Sequence, residues 1–176
     1  TSTVSARLRY EDKTDASSFE GLGAQSFQAS KATLRLEASK AVSDVISARC
    51  RFEISELRYE GYKPKELGVA GYGELTYMLN ERTKLGARYA LFSTESFASA
   101  IYLYELVAPG YFASVPVYEQ GMRSYIYLKT TPLDFISIWC RYAVTTRNNT
   151  KSLSSGVTEI VGQSEQKIML QLDVQL

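Results

Sequence analysis

The sequence contains no histidine among its 176 residues. Without an imidazole the chain lacks the usual general base of active sites, the central member of Ser-His-Asp triads and the commonest zinc ligand. Its two cysteines, Cys50 and Cys140, each lie inside a strand-like pattern, so small apolar filler is favoured over a disulfide. We therefore expect no enzymatic activity, no catalytic residues, no metal site and no cofactor.

Long apolar runs and a strong charge of one sign are also missing. No run approaches the roughly 18 residues that a membrane-spanning helix requires. The formal net charge is +1, which gives no argument for a nucleic-acid partner. The length suits a single domain over residues 1–176. The chain begins with Thr1 and shows no signal peptide, which predicts a mature C-terminal region or an excised fragment.

Strict alternation is present instead, most clearly over residues 165–176. Its apolar positions are Ile168, Leu170, Leu172, Val174 and Leu176, and polar residues or methionine stand between them. A period of two residues predicts a strand with one wholly apolar face. Such a strand closes outer-membrane β-barrels, where the apolar face meets lipid and the polar face meets the lumen.

The same alternation recurs along the chain and predicts ten strands. In most of them one face is free of charge while the other carries Arg, Lys or Glu. The predicted segments are 2–10, 31–39, 44–57, 67–79, 84–93, 98–106, 111–118, 121–130, 134–146 and 165–176. Alternation of this kind is shared by soluble sandwiches, which turn the apolar face to a core, and membrane barrels, which turn it to lipid.

The lengths of the connections favour the barrel. The three long gaps, 11–30, 58–66 and 147–164, are the first, third and ninth of nine, so all would lie at one end of an up-and-down barrel. Long loops at one end and tight turns at the other are typical of outer-membrane barrels. The sequence thus predicts an all-β, antiparallel, up-and-down transmembrane β-barrel of about ten strands, either complete or part of a larger barrel.

From about residue 85 to 176 the chain resembles the C-terminal barrel region of bacterial outer-membrane proteins of the helix-hairpin-helix (ComEA-like) type. The motifs that carry the resemblance are Arg88-Tyr89-Ala90-Leu91-Phe92, Ile101-Tyr102-Leu103-Tyr104-Glu105, Val115-Pro116, Gly121, Trp139-Cys140-Arg141-Tyr142-Ala143 and the loop from Ser155-Gly156 to Gly162. The resemblance implies a bacterial outer-membrane barrel. A helix-hairpin-helix would bind nucleic-acid backbone, but the chain contains no such hairpin, so we expect no nucleic-acid partner through this region.

The polar face of the predicted barrel is rich in basic residues. The predicted lumen-lining bases are Arg49, Arg51, Arg88, Arg123 and Arg141, together with Arg7, Arg9, Arg35, Lys84, Lys129 and Lys167. The predicted lumen-lining acids are Glu37, Glu53, Glu74 and Asp173. Unpaired charges in a low-dielectric interior are costly, so these groups must meet carboxylates, water or an anion.

Two functions agree with these patterns. The first is a membrane-embedded scaffold or narrow pore with a basic lumen in the bacterial outer membrane. Its partners would be the lipid bilayer, the outer-membrane assembly machinery and, if the barrel is composite, other protein subunits. The alternative is a soluble β-barrel or sandwich that binds a small ligand or a partner protein.

Overall fold

The structure is a computed structural model. It describes residues 2–19, 23–60, 65–111, 114–148, 150, 152–153 and 160–175. Within these ranges the chain is all-β and antiparallel, as the sequence predicts. The strands are β1 (Ser2–Phe19), β2 (Gly23–Ala41), β3 (Ile46–Tyr59), β4 (Glu66–Asn80), β5 (Thr83–Thr94), β6 (Ile101–Tyr104), β7 (Ser114–Val117), β8 (Gln120–Leu133), β9 (Ile136–Arg147), β10 (Ser152–Leu153), β11 (Ile160–Val161) and β12 (Ser164–Val174).

Eight strands form the main sheet, in the order β1-β2-β3-β4-β5-β8-β9-β12. Each of the ten predicted segments corresponds to a strand, but two of them, β6 and β7, pair only with each other. The main sheet passes directly from β5 to β8, and the chain between them, described over residues 95–111 and 114–119, forms an inserted hairpin. The hairpin strands have four residues each, too few to match the 11 to 19 residues of the neighbouring sheet strands.

The sheet is open rather than closed. Its edges are β1 and β12, which do not pair with each other in the part of the chain that the structure describes. The barrel closure that the sequence predicts is therefore absent among the described residues. Both edges leave a row of backbone donors and acceptors unpaired, which makes them templates for further strand pairing.

One predicted loop is largely a hairpin. Residues 11–30 were expected to connect strands because their composition is polar, yet β1 continues to Phe19 and β2 starts at Gly23. Glu11 pairs with Lys31 and Asp12 with Ser30 in an unbroken antiparallel ladder. A strand pair can continue with polar residues on both faces where neither face has to be apolar. The polar composition of residues 11–30 therefore predicted the end of β1 and the start of β2 wrongly.

The connections of the main sheet form two groups, one at each end. At one end, the short turns 42–45, 81–82 and 134–135 join successive strands. At the other end lie the short connection from β1 to β2 and three longer ones, from β3 to β4, from β5 to β8 through the inserted hairpin, and from β9 to β12 through β10 and β11. We call these the short-turn end and the long-loop end. Val174 pairs with Ile136 and so lies at the short-turn end.

One face of the sheet is apolar and exposed. The pairing register aligns six apolar residues in one row across six strands: Ile46, Tyr77, Leu85, Leu128, Cys140 and Leu170. Ile126 and Leu170 keep 59% and 73% of their surface accessible. We call this side the apolar face. A monomeric soluble protein rarely exposes so extended an apolar surface.

The opposite face is polar, and the inserted hairpin covers its centre. We call it the polar face. Ile101, Leu103 and Val117 of the hairpin are buried against four residues of β4 and β5, namely Ala70, Tyr72, Ala90 and Phe92. Two side chains of the sheet add contacts: Lys31 Nζ of β2 donates to Ala100 O at 2.9 Å, and Gln171 Nε2 of the edge strand β12 donates to Pro109 O at 3.2 Å. The molecule therefore buries its small core on the charged side of the sheet.

Two glycines of the main sheet differ in the space around them. A Cβ at Gly121 would clash with the backbone oxygen of Thr146 on β9, whereas a Cβ at Gly73 would meet nothing within 4 Å. Because Thr146 O belongs to the backbone of a paired strand, it cannot move without disturbing the ladder.

We expect Gly121→Ala to destabilise the sheet by about 1–3 kcal/mol, the usual cost of overpacking. Gly73→Ala is the matched control and should leave the free energy of unfolding unchanged or slightly higher, because alanine reduces backbone freedom in the unfolded chain. Urea unfolding of the two variants measures the difference. Equal midpoints would contradict the close approach of β8 and β9 at Gly121.

Candidate functional site

The predicted charged residues share the polar face, because they occupy alternate positions on paired strands. One register row contains Arg49, Glu74 and Arg88, which are direct neighbours on β3, β4 and β5. The adjacent row contains Glu37 and Arg51. Arg123 and Arg141 follow on β8 and β9. The sheet thus places opposite charges side by side across strands, an arrangement that stabilises a sheet.

Three of the four predicted carboxylates pair with arginine. Glu53 accepts from Arg35 Nε at 2.7 Å, and Glu37 accepts from Arg51 Nε at 2.7 Å. Glu74 accepts from Arg88 at 2.9 Å and 2.6 Å, and its Oε2 also accepts from the Tyr125 hydroxyl at 2.6 Å. Glu53 is buried, so its charge depends on the pairing.

Asp173 shares the polar face with the other three carboxylates but pairs with no arginine. Its Oδ1 accepts from Gln171 Nε2 at 2.7 Å, and no ion pair of the described residues involves it. Asp173 pairs in register with Ser137 at the short-turn end of the edge strand β12. The guanidiniums of Arg123 and Arg141 are directed instead to the inserted hairpin.

Glu105 is the carboxylate that the sequence did not identify. It lies just after β6, retains 1% of its surface, and accepts from Arg123 Nε at 2.7 Å and Nη2 at 3.0 Å. Arg141 Nη2 donates to the same Oε2 that accepts from Arg123 Nη2. One fully buried carboxylate therefore meets two guanidiniums from neighbouring strands and joins the hairpin to β8 and β9.

Aromatic rings occupy the space between these ion pairs. The Arg88 guanidinium lies 3.9 Å from the centre of the Tyr72 ring, and the Arg141 guanidinium lies 4.5 Å from that of Tyr125. Arg88 Nη1 also donates to Tyr104 O at 2.7 Å, which fixes β6 to the sheet. Stacking on aromatic faces stabilises guanidiniums that are withdrawn from water.

A local signal for this arrangement exists in the sequence. Pro109-Gly110 follows Glu105 closely, and Pro116 interrupts the next segment. Proline cannot donate to a ladder, so it is disfavoured in a central strand. The prolines are therefore a signal against central strands in this part of the chain. The position of Glu105 within the hairpin cannot be read from alternation.

The site has no metal-binding or helical membrane features. No cluster of three or more His, Cys, Asp or Glu residues that could hold a metal occurs in the described ranges. No helix within them is long and apolar enough to cross a membrane. Comparison with known proteins found no matching family model, no matching curated protein and no matching solved structure.

We expect Glu105→Gln to destabilise the protein by about 3–5 kcal/mol, because the neutral amide leaves two buried guanidiniums without a counter-charge. Glu56→Gln is the control, since Glu56 pairs with the exposed Arg58 and Lys65 at the long-loop end. That control should leave stability unchanged. Urea unfolding measures both, and equal stability of the two variants would contradict a central role of Glu105.

Proposed function

We propose that the chain is a β-barrel protein of the bacterial outer membrane and that it serves as a membrane-embedded scaffold. The observation that carries the proposal is the inverted polarity of the sheet. Large apolar side chains are exposed on one face, whereas arginines and glutamates are buried on the other. A soluble protein places these groups the opposite way round, and a bilayer supplies the apolar surroundings that the exposed face requires.

The depth of the apolar face supports lipid as the partner. Along β4 the outward positions from Leu67 to Leu79 are all Leu, Val, Gly or Tyr. Twelve steps of about 3.3 Å give roughly 40 Å of strand, and a tilt near 40° projects this onto about 30 Å. The apolar band of outer-membrane barrels is roughly 25 Å tall, so the strand is long enough to cross it.

The inserted hairpin favours the function of a scaffold and argues against that of a wide pore. In a closed barrel the polar face lines the interior, and the hairpin with its Arg123–Glu105 ion pair would fill much of that interior. A barrel of about eight strands has an interior just wide enough for side chains. The lipid bilayer and the assembly machinery are the partners that this proposal implies.

Adjacent residues on β12 provide the sharpest test of the membrane proposal. Leu170 is 73% exposed on the apolar face, while Gln171 lies on the polar face at nearly the same depth. We expect Leu170→Arg to reduce refolding into detergent micelles or vesicles, because arginine at mid-membrane costs about 2–4 kcal/mol. Gln171→Arg should refold normally, since arginine can still donate to Pro109 O.

The soluble alternative makes the opposite prediction for this pair. An arginine at an exposed position in water is tolerated, so Leu170→Arg would fold without detergent and improve solubility. That outcome, or equal refolding of both variants in vesicles, would contradict the membrane proposal.

A barrel also requires the two sheet edges to join. Because β1 begins and β12 ends at the short-turn end, their pairing would be antiparallel, with residues of one face opposite residues of the same face. With Cys50 and Cys140 replaced by alanine, we expect Gln171→Cys to form an intramolecular disulfide with one of three partners, Arg7→Cys, Arg9→Cys or Glu11→Cys.

The three partners test successive registers on the same face of β1. Oxidation in vesicles followed by non-reducing electrophoresis identifies the bonded pair. Disulfides between molecules, or none in any of the three combinations, would show that the edges pair with other strands and would contradict an eight-stranded closure.

A further inference from the structure

A second feature of the polar face is a cleft toward the short-turn end, next to the end of β6. The cleft, of about 380 Å³, opens between β1–β5 and the end of β6. Three basic side chains of the polar face line it, namely Arg49, Lys84 and Arg88, and Glu74 is the single acidic one. The cleft is thus strongly electropositive, and its size suits a small solute.

The single carboxylate of the cleft is already engaged. Oε2 of Glu74 accepts two hydrogen bonds from Arg88 and one from the Tyr125 hydroxyl. Arg49 reaches Glu74 Oε1 and Glu37 Oε1 only at 4.0 Å each, and about half of its side chain is exposed. The positive charge of Arg49 is therefore only weakly compensated by the protein.

Lys84 has even less compensation. It lies directly opposite Lys129 in the register of β5 and β8, and like charges so placed repel each other. Lys129 Nζ lies 4.9 Å from the centre of the Trp139 ring. This cation–π contact stabilises one of the two ammonium groups. No ion pair of the described residues involves Lys84, so its charge faces the cleft without a counter-charge.

Hydroxyl groups complete the lining. Thr3, Ser39, Ser47 and Thr76 all border the cleft, beside the Tyr104 ring at the end of β6. Cationic and hydroxyl donors therefore surround one small space, and its single carboxylate, Glu74, is already engaged. An oxyanion accepts hydrogen bonds from donors of these two kinds.

We propose that this cleft binds a small oxyanion, of the phosphate or carboxylate class, between Arg49 and Lys84. The inference deepens the proposed scaffold function, because in a barrel the cleft would be a binding site in the lumen at the short-turn end. Binding itself requires only the folded sheet and hairpin.

Phosphate titration of the folded protein tests the proposal. In low-salt buffer, isothermal titration calorimetry with inorganic phosphate should show saturable binding to the parent chain. Arg49→Gln and Lys84→Gln should each weaken the affinity roughly tenfold, the loss expected for one charge-assisted hydrogen bond. Arg82→Gln is the matched control, because Arg82 lies in a turn outside the cleft and pairs with Asp134. Its affinity should equal that of the parent.

Absence of saturable phosphate binding to the parent chain would overturn the inference. The same holds if Arg82→Gln weakens binding as much as Arg49→Gln, since this would show non-specific attraction to surface charge. Circular dichroism and the urea midpoint without phosphate confirm that each variant is folded. A chain that folds only in detergent yet binds no phosphate would overturn this inference and leave the membrane proposal intact. A chain that folds in water and binds phosphate would support this inference and contradict the membrane proposal.

Discussion

The charge on the polar face is the constraint on which the rest of the structure depends. Arginines and glutamates that face a packed interior must find partners, since a buried charge without one costs several kcal/mol. The sheet satisfies part of this requirement across its own strands, as in the contacts of Arg88 with Glu74. A further part is supplied by Glu105, which the inserted hairpin delivers to Arg123 and Arg141. The hairpin therefore contributes apolar residues to the core and supplies the counter-charge for two buried arginines.

This arrangement connects the two proposals. A sheet that hides its charges and exposes its leucines is suited to an apolar solvent, which is the argument for a lipid surround. The same face still has more cations than carboxylates, and the excess lies at the short-turn end, at Arg49 and Lys84. Paired charges under the centre of the hairpin rigidify the interior, whereas the weakly compensated charges of the cleft are the argument for an anion site.

The sequence predicted part of this site for a simple reason. Residues two positions apart on one strand share a face, and paired strands bring such faces together, so Glu37, Glu53 and Glu74 could be expected near arginines. Asp173 was expected there for the same reason, but it lies on an edge strand and accepts from Gln171 instead. Glu105 was missed because its place depends on the path of the hairpin, which is a property of the tertiary fold.

The sequence by itself determined ten of the strands and their two faces, though not the full lengths of β1 and β2, because the period of two fixes which side chains point the same way along each strand. It also determined which end carries the short turns, since β-hairpins require only a few residues. The tertiary structure decided that β6 and β7 leave the sheet: their four-residue ladder packs against Tyr72 and Phe92, and β5 pairs directly with β8. It also decided which carboxylate meets which arginine, since those pairings join residues that alternation alone cannot bring together.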